Sequence, residues 1–184
     1  ESETPVTETF ETAPEEPEAE PAALGFPAFA TLNTTRVGGV DSTAVAAGTA
    51  LAAYPSEGAV GRPRVVTLVP TDSWQAGIAA ATLSAPEIGA PVLLSGPDEV
   101  PPLTAAALEL LEPTGFKRAD GAQAVVIGDA KAPKEIDTIG VRGSDPATLA
   151  AAIDQQRAKL SGEKSPGNVL VVSSSAPEYA MPAA

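Results

Sequence analysis

Arg36, Gly38, Gly39 and Asp41 stand just ahead of an alanine-rich stretch, "STAVAAGTALAA", with the composition of a helix. Glycines before a helix expose backbone N–H groups, a geometry that favours phosphate. A second set, Arg142, Gly143 and Asp145, precedes another helical segment. Each arginine could hold a phosphate or carboxylate. The reading we favour for both is an intramolecular ion pair, with Asp41 or with Asp145. Asp72 follows an apolar run and opens a helix. It is a ligand contact at a strand's carboxyl end or, the commoner role, an N-cap. Trp74, the one tryptophan, could stack on a sugar face or pack over its helix. Glu87 and Asp98 would serve glycoside hydrolysis only at the right separation.

Composition removes much other chemistry. The 184 residues contain no cysteine and no histidine. This excludes disulfides, thiol nucleophiles, Cys/His zinc sites and a Ser–His–Asp arrangement within the chain. No catalytic set and no metal site are expected. The formal net charge is −13, and eight of the 24 acidic residues fall within the first 35, where lysine and arginine are absent. That balance argues against nucleic-acid binding, which needs clustered cations. No run of about twenty apolar residues, the length of a membrane span, occurs. The Glu/Thr/Pro segment 1–24 repels itself and has little to bury, so it reads as a disordered linker.

The elements that must position these residues alternate. "RVVTLVP" (64–70), "APVLLSG" (90–96), "AQAVVIGDA" (122–130) and "NVLVVSSS" (168–175) read as buried strands. Thr71, Asp72 and Ser73 are candidate caps for "SWQAGIAAA". In "PPLTAAALELLEP" (101–113), Leu103, Ala106, Ala107 and Leu110 share one helical face, with proline in the first turn. In "DPATLAAAIDQQRAKLSG" (145–162), Leu149, Ala152, Ile153 and Leu160 form the inner face and Gly162 the stop. Between residue 130 and Arg142 there is room for a strand but barely for a helix. The fold expected is α/β: an open, mostly parallel sheet flanked by helices, Rossmann- or flavodoxin-like. Aromatic residues make up only 4%, so small side chains must build its core.

The two glycine turns belong to a longer self-similarity. With Asp41 placed on Asp145, 104 residues on, "VVTLV" from Val65 meets "VLVVS" from Val169 and "PTDSWQAGIAA" meets "SSAPEYAMPAA". Neither turn is GxGxxG or GxxxxGK[ST]. A repeated turn without the full pattern favours a structural hinge over a nucleotide loop.

In order and spacing these residues resemble the cell wall-binding repeat 2 family of surface proteins. The matching positions are Arg36, Gly39 and Asp41; Ala46; "VVTLV"; Asp72 leading "SWQAGIAAA"; Pro91 to Leu94; and "VVIGDA". Ser42, Thr43 and Val45 depart from the family's usual residues. The resemblance covers about residues 34 to 184 and implies one unit over 30–140 and the start of a second over 141–184. It further implies a non-catalytic module that associates with further units and holds proteins on bacterial walls through anionic polymers, outside the cell. On that reading Arg36, Asp41, Asp72, Trp74, Arg142 and Asp145 are the candidate ligand contacts, and Arg64 and Arg118 could help Arg36. No cofactor is expected beyond a divalent cation that could bridge Asp72 to the polymer. The alternatives are a small-molecule or nucleotide-binding α/β domain and a purely structural repeat. The second unit ends before its later strands. Val169 to Ser173 is therefore expected to complete the first sheet or to mediate self-association, and the protein to continue past Ala184.

Overall fold

Val65 to Pro70 has no exposed residue, as a strand covered on both faces and both edges requires. In the computed structural model, which describes residues 37–54, 61–164 and 169–181, this run supplies β1 (Val66–Pro70). It lies between β2 (Val92–Ser95) and β3 (Ala124–Ile127), and β4 (Thr138–Val141) pairs with β3. The order is β2-β1-β3-β4 and every pairing is parallel. Thr67 stands opposite Val92 on one side and Val125 on the other. The α/β fold with a parallel, helix-flanked sheet is therefore observed. The acidic segment 1–24 lies outside the described residues.

Successive strand side chains point to opposite faces, and each face has its own core. Val65, Val69, Val125 and Ile127 meet α2 (Trp74–Ala80) and α4 (Pro146–Ser161) through Ala76, Ala80, Ile153 and Leu160. Val66, Leu68, Leu93 and Ala124 meet α1 (Ser42–Ala53) and α3 (Pro102–Leu111) through Ala47, Ala50, Leu51, Ala107, Leu108 and Leu111. The alanines let helix backbones approach the sheet closely, the packing that a chain poor in aromatics requires.

Helix ends follow local chemistry. Asp145 caps α4, with Thr148 closing a capping box, and Gly162 at φ 76° ends that helix. Ser73, and not Asp72, caps α2: its Oγ accepts from Ala76 N at 3.3 Å. α3 buries Thr104, Ala107, Leu108 and Leu111, one residue round from the expected stripe, and leaves Leu110 41% exposed. Both stripes have helical spacing because α3 is apolar nearly throughout. The sheet selects the one whose Thr104 hydroxyl reaches Leu94 O, at 2.5 Å. No helix lies between β3 and β4.

One expected strand is not formed. Val169 to Ser173 makes no ladder, and Val169, Leu170 and Val171 are 81%, 70% and 88% exposed. Crossover handedness disfavours its addition beyond β4. The return from β2 to β3 crosses the α3 face, so a strand beyond β4 needs its helix on that same face to keep the same hand. α4 lies on the α2 face. Beyond the apolar run, the short helix α5 (Pro177–Ala180) packs on α2 instead, and Gln75 Nε2 donates to Ser174 O at 3.0 Å.

Candidate functional site

Parallel sheets bind ligands outside their carboxyl ends, where neighbouring strands send their connections opposite ways. Here that point lies between β1 and β3. The loops at this edge carry most of the candidate residues: Asp72 and Trp74 after β1, Arg142 and Asp145 after β4. Asp41 joins them. Tyr54, at the end of α1, donates its hydroxyl to Gly89 O near the start of β2, so the other end of α1 lies at the carboxyl edge. Arg36 lies outside the described residues, together with its expected pairing to Asp41.

The chain itself runs across this edge. After β3, Gly128 turns at φ 62°, a left-handed conformation that glycine adopts without strain. Lys131 N then donates to Gly96 O at 2.9 Å, and Ser95 Oγ donates to Lys131 O at 2.7 Å. Because β1 lies between β3 and β2, segment 128–131 must pass across the end of β1. The start of the β3–β4 connection therefore lies over the carboxyl end of β1, with Gly128 beside Pro70.

The two glycine turns share one construction. A Cβ on Gly39 would lie 2.7 Å from Val45 N, and one on Gly143 would lie 2.3 Å from Leu149 N. In each case the chain folds tightly over the first turn of the helix that follows. Two residues after each glycine an aspartate caps that helix. Asp41 Oδ1 accepts from Ala44 N at 2.8 Å. Asp145 Oδ1 accepts from Ala147 N and Thr148 N, both at 3.0 Å, and its Oδ2 accepts from the Ser144 and Thr148 hydroxyls. These donors, the Thr148 N–H foremost, hold the Asp145 carboxyl below the ordinary aspartate range. Among the described residues Asp145 forms no ion pair with Arg142. This corrects the expected pairing: helix donors occupy both carboxylate oxygens, and Arg142 is left exposed.

Asp72 is exposed and Trp74 half-buried as the first residue of α2. Glu87 and Asp98 fall at opposite ends of β2. A four-residue strand alone spans about 13 Å, beyond the roughly 5–9.5 Å between glycosidase carboxyl groups. That pair is not brought together. Among the described residues no three carboxylates gather into a metal-binding group, and no helix is long and apolar enough to cross a membrane.

No protein-family model and no curated protein matches the chain. Among solved structures, Cwp6 from Clostridium difficile is similar to it, with a TM-score of 0.55 and 20% sequence identity. The likeness covers 67% of this chain and 19% of that one, so the chain spans about a fifth of that protein's length. At this identity the similarity is one of fold.

Proposed function

We propose that this chain is a non-catalytic cell-surface module that holds a protein on the bacterial wall by non-covalent binding to an anionic polymer. The observation that carries the reading is the fold shared with Cwp6, a cell wall protein, over two thirds of the chain. Segment 128–131 supports it too, since it lies over the carboxyl end of β1, beside the point where sheets of this class take small ligands. The absence of histidine and cysteine points the same way. In this reading residues 30–140 form one unit, residues 141–184 begin another, and the acidic 1–24 is a spacer outside the cell. The partner is a wall polymer, neither nucleic acid nor membrane, and binding requires no cofactor.

Co-sedimentation with purified bacterial walls, before and after chemical removal of their anionic polymers, tests this. Retention on intact walls and loss on stripped walls are expected. Equal retention on both would refute the anionic ligand. A thermal shift with nucleotides and none with wall polymers would favour the small-molecule reading.

A further inference from the structure

Charged side chains are divided between the two ends of the sheet. At the carboxyl edge Asp72, Asp98, Glu99, Asp129 and Asp145 follow the strands, against Lys131 and Arg142. At the amino edge Arg64 precedes β1, Lys117 and Arg118 precede β3, and Lys159 and Lys164 lie at the end of α4, interspersed with Glu87, Asp120, Asp137 and Glu163. In a chain of net charge −13, this mixed edge holds more of the basic side chains than the carboxyl edge does.

Backbone contacts assemble this edge. Gly115 N donates to Arg64 O at 2.9 Å, and the Phe116 ring that follows lies under the Arg64 guanidinium, 4.4 Å from its carbon. Arg64 Nη2 donates to Glu87 O at 2.7 Å and Ile88 O at 3.2 Å. Arg118 Nη1 donates to Leu160 O at 3.0 Å and to Ser161 O, answering the carbonyl end of α4. Among the described residues neither guanidinium pairs with a carboxylate, whereas Arg62 and Arg157 both do. Neutral carbonyls hold Arg64 and Arg118 through one nitrogen each, and the rest of each planar fork stays available. A side chain already held loses little entropy when an anion arrives. Lys117 stands between them in sequence, exposed, on a single 3-10 turn.

We infer that this amino edge, built on Arg64, Lys117 and Arg118, is the surface that grips the anionic wall polymer through its phosphate or carboxylate groups. The inference rests on the wall-attachment reading and moves the contact to the end of the sheet opposite Asp72, Arg142 and Asp145. A polymer suits it because several fixed cations can engage successive anions of one strand.

The test measures wild type, Lys117→Glu, Arg118→Gln and Arg142→Glu against purified walls, inorganic polyphosphate and polyglutamate at low salt. Melting curves confirm that each variant is folded. The expected result is about a tenfold weakening on walls for Lys117→Glu, less for Arg118→Gln, and under about twofold for Arg142→Glu. Binding of polyphosphate alone assigns phosphate as the recognised group, and binding of polyglutamate alone assigns carboxylate. If walls hold wild type and Lys117→Glu equally while Arg142→Glu is lost, the contact lies at the carboxyl edge; the inference fails and wall attachment stands. If polyanions bind through Lys117 but walls do not, wall attachment fails and the anion surface stands. If wild type binds neither, both fail.

Discussion

Val65 to Val69 and Val169 to Ser173, "VVTLV" against "VLVVS", are counterparts at the 104-residue offset and both begin as apolar runs, yet one is the centre of the molecule and the other lies on its surface. The first has β2 and β3 on its edges and helices on both faces. The second has no strand beside it, and its four-residue apolar start is exposed. Their upstream turns behave differently from the strands: Gly39 with Asp41 and Gly143 with Asp145 build the same tight, capped helix start. A cap needs only its own helix, so it forms in both places. A buried strand needs neighbours from elsewhere in the chain, so it forms only where they are supplied.

Core truncation should expose this contrast most strongly. Leu68→Ala in β1 is expected to cost about 3 kcal/mol, since it empties a fully buried site. Truncation of its counterpart, Val172→Ala, should stay within about 0.5 kcal/mol. Chemical denaturation of both variants measures the difference, and comparable losses would mean that Val169 to Ser173 is buried in solution.

The shared turns should respond alike. Gly143→Ala and Gly39→Ala each place a methyl against helix backbone, and each is expected to cost about 2 kcal/mol, read from melting temperatures. A large loss at only one of them would break the parallel between the two turns.

A smaller effect comes from grafting one strand onto the other. Thr67 is fully buried with no partner for its hydroxyl, and its counterpart is Val171. Thr67→Val removes an unsatisfied polar atom and should stabilise the fold by about 1 kcal/mol. Destabilisation would show that the hydroxyl has a partner in solution.

The caps supply the subtlest test, through pH. Asp145 has a lowered carboxyl pKa in the folded state, so its contribution is full above the unfolded value and fades as pH falls through the folded one. Asp145→Asn keeps a capping oxygen without the charge. Its melting temperature should lie below that of wild type near neutrality and converge with it below the ordinary aspartate range. A gap that persists unchanged to low pH would separate the cap from the carboxylate charge.

Much of this architecture is legible in the chain because its signals are local. The apolar runs around Val66, Leu93 and Val125 are too short for helices and too apolar for loops, and Gly162 marks the end of α4. Three features depended on partners distant in sequence. Thr104, not Leu103, faces the sheet because of the Leu94 carbonyl. Val169 to Ser173 carries the strand signal without the strand. Segment 128–131 crosses β1 because Lys131 meets Ser95 and Gly96, and no local pattern announces that. Of the candidate site, the turns at Asp41 and Asp145 were visible as spacing. The pairing of Arg64 with Phe116 was not, since 52 positions separate residues that only β1 and the chain before β3 bring together.

Wall attachment through charge is the central claim, and the most direct measurement is retention of the wild-type chain on purified walls as salt is raised. Contacts between exposed charges weaken as the screening length falls from about 10 Å at 0.1 M to about 3 Å at 1 M. The account predicts strong retention at low salt and release well before 1 M. No retention at low salt, or retention that salt leaves unchanged, would contradict it.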